Sequence, residues 1–316
     1  MRESTIIEKL RAVASDPLLD DAALYNMTAG FELAVSTDML VENIHFLSDG
    51  APQEIITKAL ASNISDISAM GATPVYYQLA LGLTSAQDDA WIDACCAQLA
   101  ELHKQYRIGL SGGDTVRGCA QLTISVTMHG IIEQGRAVTR SGALPGDNLY
   151  VTGTLGDAAL GLHMLRYGSE GLSDDMVQHA ISRYWMPQPH PSFARRIGNH
   201  IHAMIDISDG LMTDCATLCD ASHAGAVIDY DTLPLSGAMI YAKQFNSELF
   251  EQCISAGDDY ELLFAAAPLH HETIMNAASR YDMQVTKIGK ITEAKQLLLQ
   301  DSEGVAIALL NTGYEH

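Results

Sequence analysis

A segment rich in glycine, proline and polar residues, at positions 133–148, separates two regions of regular hydrophobic pattern and most constrains the fold. Before it, residues 121–129 alternate apolar and polar side chains, a period of two that predicts a half-buried strand. After it, a short apolar strand pattern leads to a helical pattern that begins at Asp157. The sequence therefore predicts an α/β (α+β) protein of two domains, residues 1–137 and 138–316.

Strands and helices are predicted in both halves of the chain. In the first half the strands are 32–38, 75–83, 108–115 and 121–129, and the helices are 52–70 and 87–106. In the second half the strands are 149–153, 203–208, 226–231, 260–267 and 283–291, with two short ones in 296–310. The helices there are 173–184, 191–202, 210–224, 236–247 and 269–281, besides the one from Asp157. The sequence contains neither of the glycine-rich phosphate-binding motifs GxGxxG and GxxxxGK[ST].

Length and composition agree with a globular protein of two domains. The chain has 316 residues, of which 47% are hydrophobic and 18% are charged. It has no apolar run long enough to span a bilayer. Residues 1–17 lack the apolar core and the cleavage site of a signal peptide, so we expect a cytoplasmic protein with no membrane partner.

The chain is strongly acidic, with 39 Asp and Glu against 18 Lys and Arg and a formal net charge of −21. A surface of this charge repels the phosphates of nucleic acids and anionic lipids, so we expect no nucleic-acid partner. Binding of phosphate by such a protein would require intervening cations. Divalent metals would serve because carboxylates are their natural ligands, although many acidic proteins are acidic only for solubility.

Six short segments place carboxylates where strands or helices are predicted to end or turn. They are Asp20-Asp21, Ser36-Thr37-Asp38, Asp66, Gly112-Gly113-Asp114-Thr115, Asp206-Ile207-Ser208-Asp209-Gly210 and Gly257-Asp258-Asp259-Tyr260-Glu261. Taken singly, each has an ordinary interpretation as a solvated turn, a helix cap, a hydrogen-bonded buried carboxylate or a turn that glycine permits. Taken together, they predict a site for several Mg²⁺ ions, because magnesium is commonly shared between one or two carboxylates and substrate phosphates.

Asp66 is the most informative of these residues. It lies in a predicted helix with almost no other charge, and Asn63, three positions earlier, shares its face. A carboxylate in so apolar a helix costs on the order of several kcal/mol unless it is paired or binds metal. A buried Asp66 bonded to nearby serines or to the backbone explains the pattern equally well, so both interpretations stay open.

Segments in a fixed order connect this sequence with a known family. The chain resembles the thiamine-monophosphate kinases, which share a superfamily with aminoimidazole ribonucleotide synthetase and selenophosphate synthetase. The segments that carry the resemblance are STDMLVENIHF (36–46), ALASNISDISAMGATP (59–74), GGDTVRG (112–118), GRAVTRSGALPGDNLYVTGTLGDAALGL (135–162), IDISDGLMTD (205–214) and AGDDYELLF (256–264). The first and fourth of these are more particular to the kinases than GGDT and DISDG are.

The resemblance implies an aminoimidazole ribonucleotide synthetase-like fold of two domains. The N-terminal ATP- and Mg-binding domain would form a barrel with that of a second copy, giving a homodimer. The C-terminal α/β domain would complete the ATP and substrate site, with ATP in the cleft between the domains. The implied activity is direct in-line transfer of the γ-phosphoryl group of ATP to thiamine monophosphate, which gives thiamine diphosphate.

The resemblance also assigns roles to residues. The implied magnesium ligands are Asp20, Ser36, Thr37, Asp38, Asp66, Asp114, Asp206 and Asp209. The implied ATP contacts are Gly113, Asp114, Arg140 and Ser208, with Arg117 as a second candidate for a phosphate contact. The implied substrate contacts are His45, Asp258, Glu261 and Tyr314. Asp114, Arg140 and Asp209 would be catalytic, since transfer between phosphates needs positioning and charge neutralisation more than a general base.

Two alternative functions stay open at this point. One is another ATP-using enzyme of the superfamily. Against it, the first cysteine here is Cys95, so the reactive N-terminal cysteine of selenophosphate synthetase is missing, as is the C-terminal cysteine of the carbamoyl-dehydrating maturation enzyme. The other is a non-catalytic nucleotide-binding relative, because Pro17-Leu18-Leu19 replaces the glycine-rich lead that the family has before Asp20. The chain also differs from the family pattern at Asn43, Ala256 and Asp258.

Overall fold

The computed structural model of the chain describes residues 3–13, 27–169 and 171–307. The chain divides into two compact units: unit 1 is Met1–Ile67 with Ala72–Gly135, and unit 2 is Ser68–Gly71 with Arg136–His316. The division after Gly135 falls inside the segment 133–148 that the sequence marks as a boundary. Two predicted site residues, Asp20 and Tyr314, lie outside the described residues.

Unit 1 contains a four-stranded sheet and its helices. The helices are α1 (Glu3–Val13), α2 (Pro52–Ala69, whose last two residues belong to unit 2) and α3 (Asp89–Tyr106). The strands are β1 (Phe31–Val41), β2 (Thr73–Leu83), β3 (Gly109–Arg117) and β4 (Thr123–Glu133). Their order in the sheet is β1-β4-β2-β3, with β2 and β3 parallel and the other neighbours antiparallel.

The two faces of this sheet differ in burial, as the alternation of its strands requires. On β1, Ser36, Asp38 and Leu40 are half-buried or buried, whereas the residues between them are exposed. The outward face carries apolar side chains with high exposure: Leu33 41%, Val35 54%, Met39 58%, Tyr76 41% and Val116 53%. Unit 1 therefore presents an apolar sheet face to its surroundings.

Unit 2 contains a six-stranded sheet with helices on both faces. Its helices are α4 (Asp157–Tyr167), α5 (Asp174–Trp185), α6 (Pro191–Ile197), α7 (Leu211–Ser222), α8 (Gly237–Phe245), α9 (Ser247–Ser255) and α10 (His271–Arg280). Its strands are β5 (Asn148–Thr152), β6 (Ala203–Asp206), β7 (Gly225–Asp229), β8 (Leu262–Ala266), β9 (Val285–Thr292) and β10 (Leu297–Gln300). The order is β10-β7-β9-β5-β8-β6, antiparallel except between β10 and β7.

The core of unit 2 lies on both sides of its sheet. Leu149 and Val151 of β5 belong to a hydrophobic cluster with residues of α4, α7, α8 and α9. Tyr150, between them, belongs to a second cluster with Phe193 of α6 and Ile274 of α10. Because both faces of the central strands are covered, those strands read as continuous apolar runs in the sequence. The predicted mixture of strands and helices is confirmed in both units.

Three predicted element boundaries differ from the structure, and one helix was missed. The strand predicted at 203–208 ends at Asp206, where the chain turns into α7, and the helix predicted at 191–202 ends at Ile197. The strand predicted from 260 begins at Leu262, because Tyr260 has a left-handed φ of 52°. Helix α9 was not predicted at all; the side chain of Asn246 caps it by accepting the N–H of Leu249 at 3.1 Å.

Of the helices described, none combines the length and the apolar composition that a bilayer crossing requires.

Candidate functional site

Strand β1 and helix α2 bring three of the predicted metal ligands together in unit 1. The hydroxyl of Ser36 donates a hydrogen bond to the carboxylate of Asp66. Two residues further along β1, the N–H of Asp38 donates to Oδ1 of Asn63 at 3.2 Å. Residues two apart on a strand share a face, and residues three apart on a helix do so as well. The spacing of these four residues therefore lets one strand face meet one helix face, as the sequence predicts for Asn63 and Asp66.

The electrostatic setting of Asp38 favours a bound cation. Burial raises the pKa of Asp38 above its ordinary value, and this is only partly offset by a hydrogen bond with Ser62 and by the charge of His45. The ring of His45 is fixed at the end of β1, since its Nδ1 accepts the N–H of Val41 at 3.0 Å. A half-buried carboxylate that resists ionisation gains most from a positive ion at its oxygens.

The donor set of this region fits magnesium. Ser36, Asp38, Asn63 and Asp66 offer only oxygen ligands to an ion, and hard divalent cations prefer such ligands. Within the described ranges no three His, Cys, Asp or Glu side chains lie close enough to hold a metal by themselves. Two carboxylates suit Mg²⁺, because it keeps several waters and takes its remaining ligands from substrate phosphates.

Two other predicted ligands of unit 1 lie on the opposite face of the sheet. Asp38 is aligned across β4 and β2 with Gly113 of β3. Asp114, the next residue, therefore points to the outward face that it shares with Thr37, whose hydroxyl lies 2.9 Å from Oγ1 of Thr127. The predicted convergence on one cluster is not seen for these two side chains, and their metal roles stay predictions.

Gly113 holds β3 against β2 at the residue before Asp114. It has a φ of +155°, and a Cβ placed there would lie 1.9 Å from the carbonyl oxygen of Leu79. Only glycine fits this approach. The carboxylate of Asp114 is exposed at the sheet edge and accepts the N–H of Thr115 at 2.9 Å. The glycine pair seen in the sequence thus sets the backbone that presents Asp114.

In unit 2, the turn after β6 is organised by a residue that sequence reasoning missed. The carboxylate Oδ2 of Asp214, in the first turn of α7, accepts three consecutive backbone N–H groups, from Ser208 (3.0 Å), Asp209 (3.0 Å) and Gly210 (3.1 Å). Burial raises the pKa of Asp214 to about 7, against the opposing effect of these N–H groups. Asp206, which ends β6, is only 3% exposed. Asp214 thus fixes the backbone at two predicted contacts, Ser208 and Asp209.

The acidic loop at 257–261 is bonded to this same turn. The N–H of Asp258 donates to the carbonyl of Ser208 at 2.8 Å, and the N–H of Tyr260 donates to the carbonyl of Ile207 at 2.8 Å. A Cβ at Gly257 would lie 1.8 Å from the Ser208 carbonyl oxygen, so glycine is required for the approach. Predicted nucleotide and substrate contacts of unit 2 are therefore joined by backbone hydrogen bonds.

Burial separates the carboxylates of the acidic loop into two kinds. Asp258 is half-buried, whereas Asp259 and Glu261 are 3% and 2% exposed. Glu261 accepts hydrogen bonds from Arg183 Nη2 and Thr152 Oγ1, both at 2.5 Å. Burial opposes ionisation of Glu261, but the neighbouring His190 and Arg183 lower its pKa below the ordinary value. Of the two predicted substrate contacts in the loop, Asp258 is therefore half-buried, whereas the carboxylate of Glu261 is buried and bonded to Arg183 and Thr152. The substrate contacts of both residues stay predictions.

Of the two candidate arginines, Arg140 is exposed and Arg117 is anchored locally. Nη2 of Arg117 donates to the carbonyl of Gln87 at 3.0 Å. Arg140 lies in a segment beside β6, because the N–H of Met204 donates to the carbonyl of Thr139 at 3.0 Å. The side chain of Arg140 is thus exposed, whereas that of Arg117 is bonded to a backbone carbonyl, and the phosphate contacts of both stay predictions.

Comparison with known proteins identifies the family. The model of the AIR synthase related protein, N-terminal domain, matches residues 19–132, and that of the C-terminal domain matches residues 145–301. A thiamine-monophosphate kinase of Escherichia coli K12 is 38% identical over 297 residues, which cover 94% of this chain and 90% of that protein. The chain belongs to the thiamine-monophosphate kinase family. The kinase of Bacillus subtilis is 33% identical over 94% of this chain and 92% of its own length.

Solved structures of thiamine-monophosphate kinases have the same fold. The crystal structure of the kinase from Stenotrophomonas maltophilia K279a matches with a TM-score of 0.84 and 33% identity, covering 96% of each chain. AaThiL complexed with AMPPCP and TMP matches with a TM-score of 0.78 and 26% identity over 100% of this chain and 99% of that one. The aminoimidazole ribonucleotide synthetase-like fold predicted from the sequence is thereby confirmed.

Proposed function

We propose that the protein transfers the γ-phosphoryl group of ATP to the phosphate of thiamine monophosphate, giving thiamine diphosphate and ADP, in a reaction that depends on Mg²⁺. The observation that carries this proposal is the meeting of Ser36, Asp38 and Asp66 where β1 runs beside α2. It supplies oxygen ligands for a divalent ion in a strongly acidic chain of this kinase family. The protein is proposed to act in the cytoplasm.

The chemistry asks for charge neutralisation more than for a base. The acceptor is a phosphate oxygen that is already anionic near neutral pH, so the barrier lies in bringing two anions together in line. Bound Mg²⁺ would supply the neutralising charge. Asp38 and Asp66 would hold the ion, and the hydroxyl of Ser36 keeps the Asp66 carboxylate in one orientation. Arg140 would place a planar cationic fork on a phosphate, and Gly113 and Ser208 would contact ATP.

The remaining predicted ligands keep their proposed roles. Asp114 and Asp209 are proposed to act with Arg140 in catalysis, and Thr37, Asp114, Asp206 and Asp209 to hold further ions, together with Asp20 outside the described residues. For the acceptor, we assign the contact within the acidic loop to Asp258, because it is half-buried and Glu261 is already bound. His45 and Tyr314 are the other proposed substrate contacts.

A homodimer is part of the proposal. The outward face of the unit 1 sheet exposes Val35 at 54% and Met39 at 58%, among other apolar side chains. Contiguous apolar patches of this kind mark interaction surfaces in soluble proteins. We expect sedimentation analysis to give twice the mass of one chain, and the substitution Val35→Glu to shift it to the monomer. A wild-type protein that sediments as a monomer would contradict this part of the proposal.

The activity is tested by a coupled assay for ADP release with thiamine monophosphate as acceptor and thiamine as the control. We expect release that requires both Mg²⁺ and the monophosphate, with thiamine diphosphate as the product. Binding of an ATP analogue and of thiamine monophosphate without any turnover would instead indicate a non-catalytic nucleotide-binding relative. Turnover only with a different oxygen acceptor would indicate another enzyme of the superfamily.

A further inference from the structure

The acidic loop at 257–261 has an unusual backbone. Asp258 and Tyr260 have φ angles of 74° and 52°, the left-handed region that side chains with a Cβ seldom adopt. Two such residues separated by a single position require restraint from outside the loop, because their local preference opposes the observed conformation. The carboxylate assigned to the substrate, that of Asp258, sits on one of them.

The restraint has two sources. The N–H groups of Asp258 and Tyr260 donate to the carbonyls of Ser208 and Ile207, each at 2.8 Å, and the residues that alternate with these two are held by their side chains. Asp259 accepts the N–H of Gly156 with both oxygens, at 3.1 and 3.0 Å. Glu261 accepts from Thr152 Oγ1 and from Arg183 Nη2. Asp259 and Glu261 are thus turned inward and buried, whereas Asp258 and Tyr260 are half-buried.

Arg183 donates hydrogen bonds to both Asp259 and Glu261. Its Nη2 lies 2.5 Å from Oε1 of Glu261 and 3.2 Å from the carbonyl oxygen of Asp259, and its side chain is 12% exposed. It reaches the loop from α5, 76 residues earlier in the chain than Asp259. A planar guanidinium can donate to a carboxylate and a carbonyl at fixed angles, which a lysine ammonium does not reproduce.

We propose that Arg183 is a positioning residue that holds the loop 257–261 in its left-handed conformation and so aims Asp258 at the acceptor substrate. The proposal rests on the function proposed above for Asp258. Asp214 contacts Ser208 and Asp209 directly, whereas Arg183 contacts the acidic loop and is linked to that turn through the backbone bonds of Asp258 and Tyr260. Loss of Arg183 should therefore affect the acceptor more than ATP.

The test compares Arg183→Lys with Arg195→Lys, a matched change at an exposed arginine of α6. For Arg183→Lys we expect the KM for thiamine monophosphate to rise about tenfold, because a loop that costs strain relaxes when its restraint weakens. The KM for ATP should change less than about threefold. Hydrogen exchange in a peptide spanning 256–262 should be faster, with the rest of unit 2 unchanged. Arg195→Lys should behave as the wild type in all three measurements.

The inference fails if Arg183→Lys is folded and keeps wild-type exchange at 256–262, because the loop is then held without Arg183. Faster exchange with a wild-type KM for thiamine monophosphate would contradict the aiming of Asp258 at the acceptor. If Arg183→Lys does not fold, the charge-neutral pair Arg183→Gln with Glu261→Gln takes its place and is judged by the same criteria. Hydrogen exchange measures the opening of the loop backbone in the absence of substrate. A wild type with no turnover would therefore overturn the proposed function, whereas the exchange result alone decides whether Arg183 restrains the loop.

Discussion

The hydroxyl of Ser36 donates its hydrogen bond to the carboxylate of Asp66, thirty positions further along the chain. The bond joins the middle of β1 to the last turns of α2, and two residues further along β1 the N–H of Asp38 contacts Asn63 of the same helix. In the sequence Asp66 was open to two interpretations, a hydrogen-bonded buried aspartate and a metal ligand. The structure shows that the hydrogen bond exists, and the two roles are compatible, since a carboxylate oriented by a hydroxyl is a better-defined ligand.

Asp66→Asn should lower Mg²⁺-supported kcat/KM by about 100-fold or more, because the amide is a much weaker ligand for a hard cation. Ser36→Ala should raise the Mg²⁺ concentration for half-maximal rate by about tenfold, since it removes only the orienting bond. Calorimetric titration with Mn²⁺ checks binding apart from turnover. Asp49→Asn, at an exposed position of unit 1, is the control. Wild-type Mn²⁺ binding in Asp66→Asn would rule out this residue as a ligand.

Gly113→Ala should be far more damaging than Gly118→Ala. Both glycines have positive φ, but a Cβ at Gly118 would meet nothing within 4 Å, whereas one at Gly113 would lie 1.9 Å from the Leu79 carbonyl oxygen. We expect Gly118→Ala to cost about 1 kcal/mol of unfolding free energy, the conformational cost alone. Gly113→Ala should cost about 3 kcal/mol or more and displace Asp114. Equal costs in urea unfolding would show that β3 can move away from β2.

The pair of His179 and Asp157 should make stability depend on pH. The hydrogen bond to Asp157 raises the pKa of His179 above 6.5, while Asp157, which burial alone would shift upward, has its pKa lowered by His179, Ser236 and Thr154. The histidine's contribution is therefore complete below its unfolded pKa and is lost as pH rises through the folded pKa. The contribution of Asp157 is present above its unfolded pKa and is lost as pH falls.

His179→Gln should accordingly reduce the free energy of unfolding more at about pH 6 than at about pH 8. Urea unfolding of the wild type and the variant at both pH values measures the difference. The effect should be modest, because His179 is half exposed and its charge is screened by solvent. A difference that grows towards pH 8 would have the wrong sign for an ion pair.

Asp214→Asn should raise the KM for ATP by about tenfold, because the neutral amide oxygen is a weaker acceptor for the three backbone N–H groups than a carboxylate oxygen is. The KM for thiamine monophosphate should change less, since Asp214 is linked to the acidic loop through Ser208, while Gly156 and Arg183 contact the loop directly. Asp220→Asn, an exposed position on the same helix, is the control. The result would be contradicted by an unchanged KM for ATP in a folded variant.

Much of the fold was predictable because its elements have strong periodic patterns. The burial of strand β4 alternates over 123–131, and α2 and α3 match their predicted ranges within two residues at each end. The boundaries that failed are set by side-chain hydrogen bonds and backbone angles. Strand β6 ends at Asp206 because the carboxylate of Asp214 accepts the N–H groups of the residues that follow, from Ser208 to Gly210. Strand β8 begins two residues later than predicted because Tyr260 has a left-handed φ. Neither constraint appears in a local hydrophobic pattern.

The site was predictable in its residue types and less so in its geometry. The acidic segments and their order pointed to Asp38 and Asp66, which the structure brings to one region. Asp214 lies within a segment that carries the family resemblance, so its first-turn position next to DISDG was an available signal. The role of Arg183 could not be predicted from the sequence, because a charged residue on a helix is usually solvated. Its contact with Glu261 is visible only in the fold.

The segment that carries Arg140 has a second consequence, for the behaviour of the protein in concentrated solution. Within the described sheet of unit 2, β6 is an outermost strand, with a row of backbone groups that another chain could pair with. The segment around Arg140 covers part of this edge. The N–H of Met204 donates to the carbonyl of Thr139, and Gly142 lies close to the carbonyl of His202. Replacing the Arg140 side chain should leave this cover in place. A bulky residue at Gly142 should lift it and make the protein prone to aggregate.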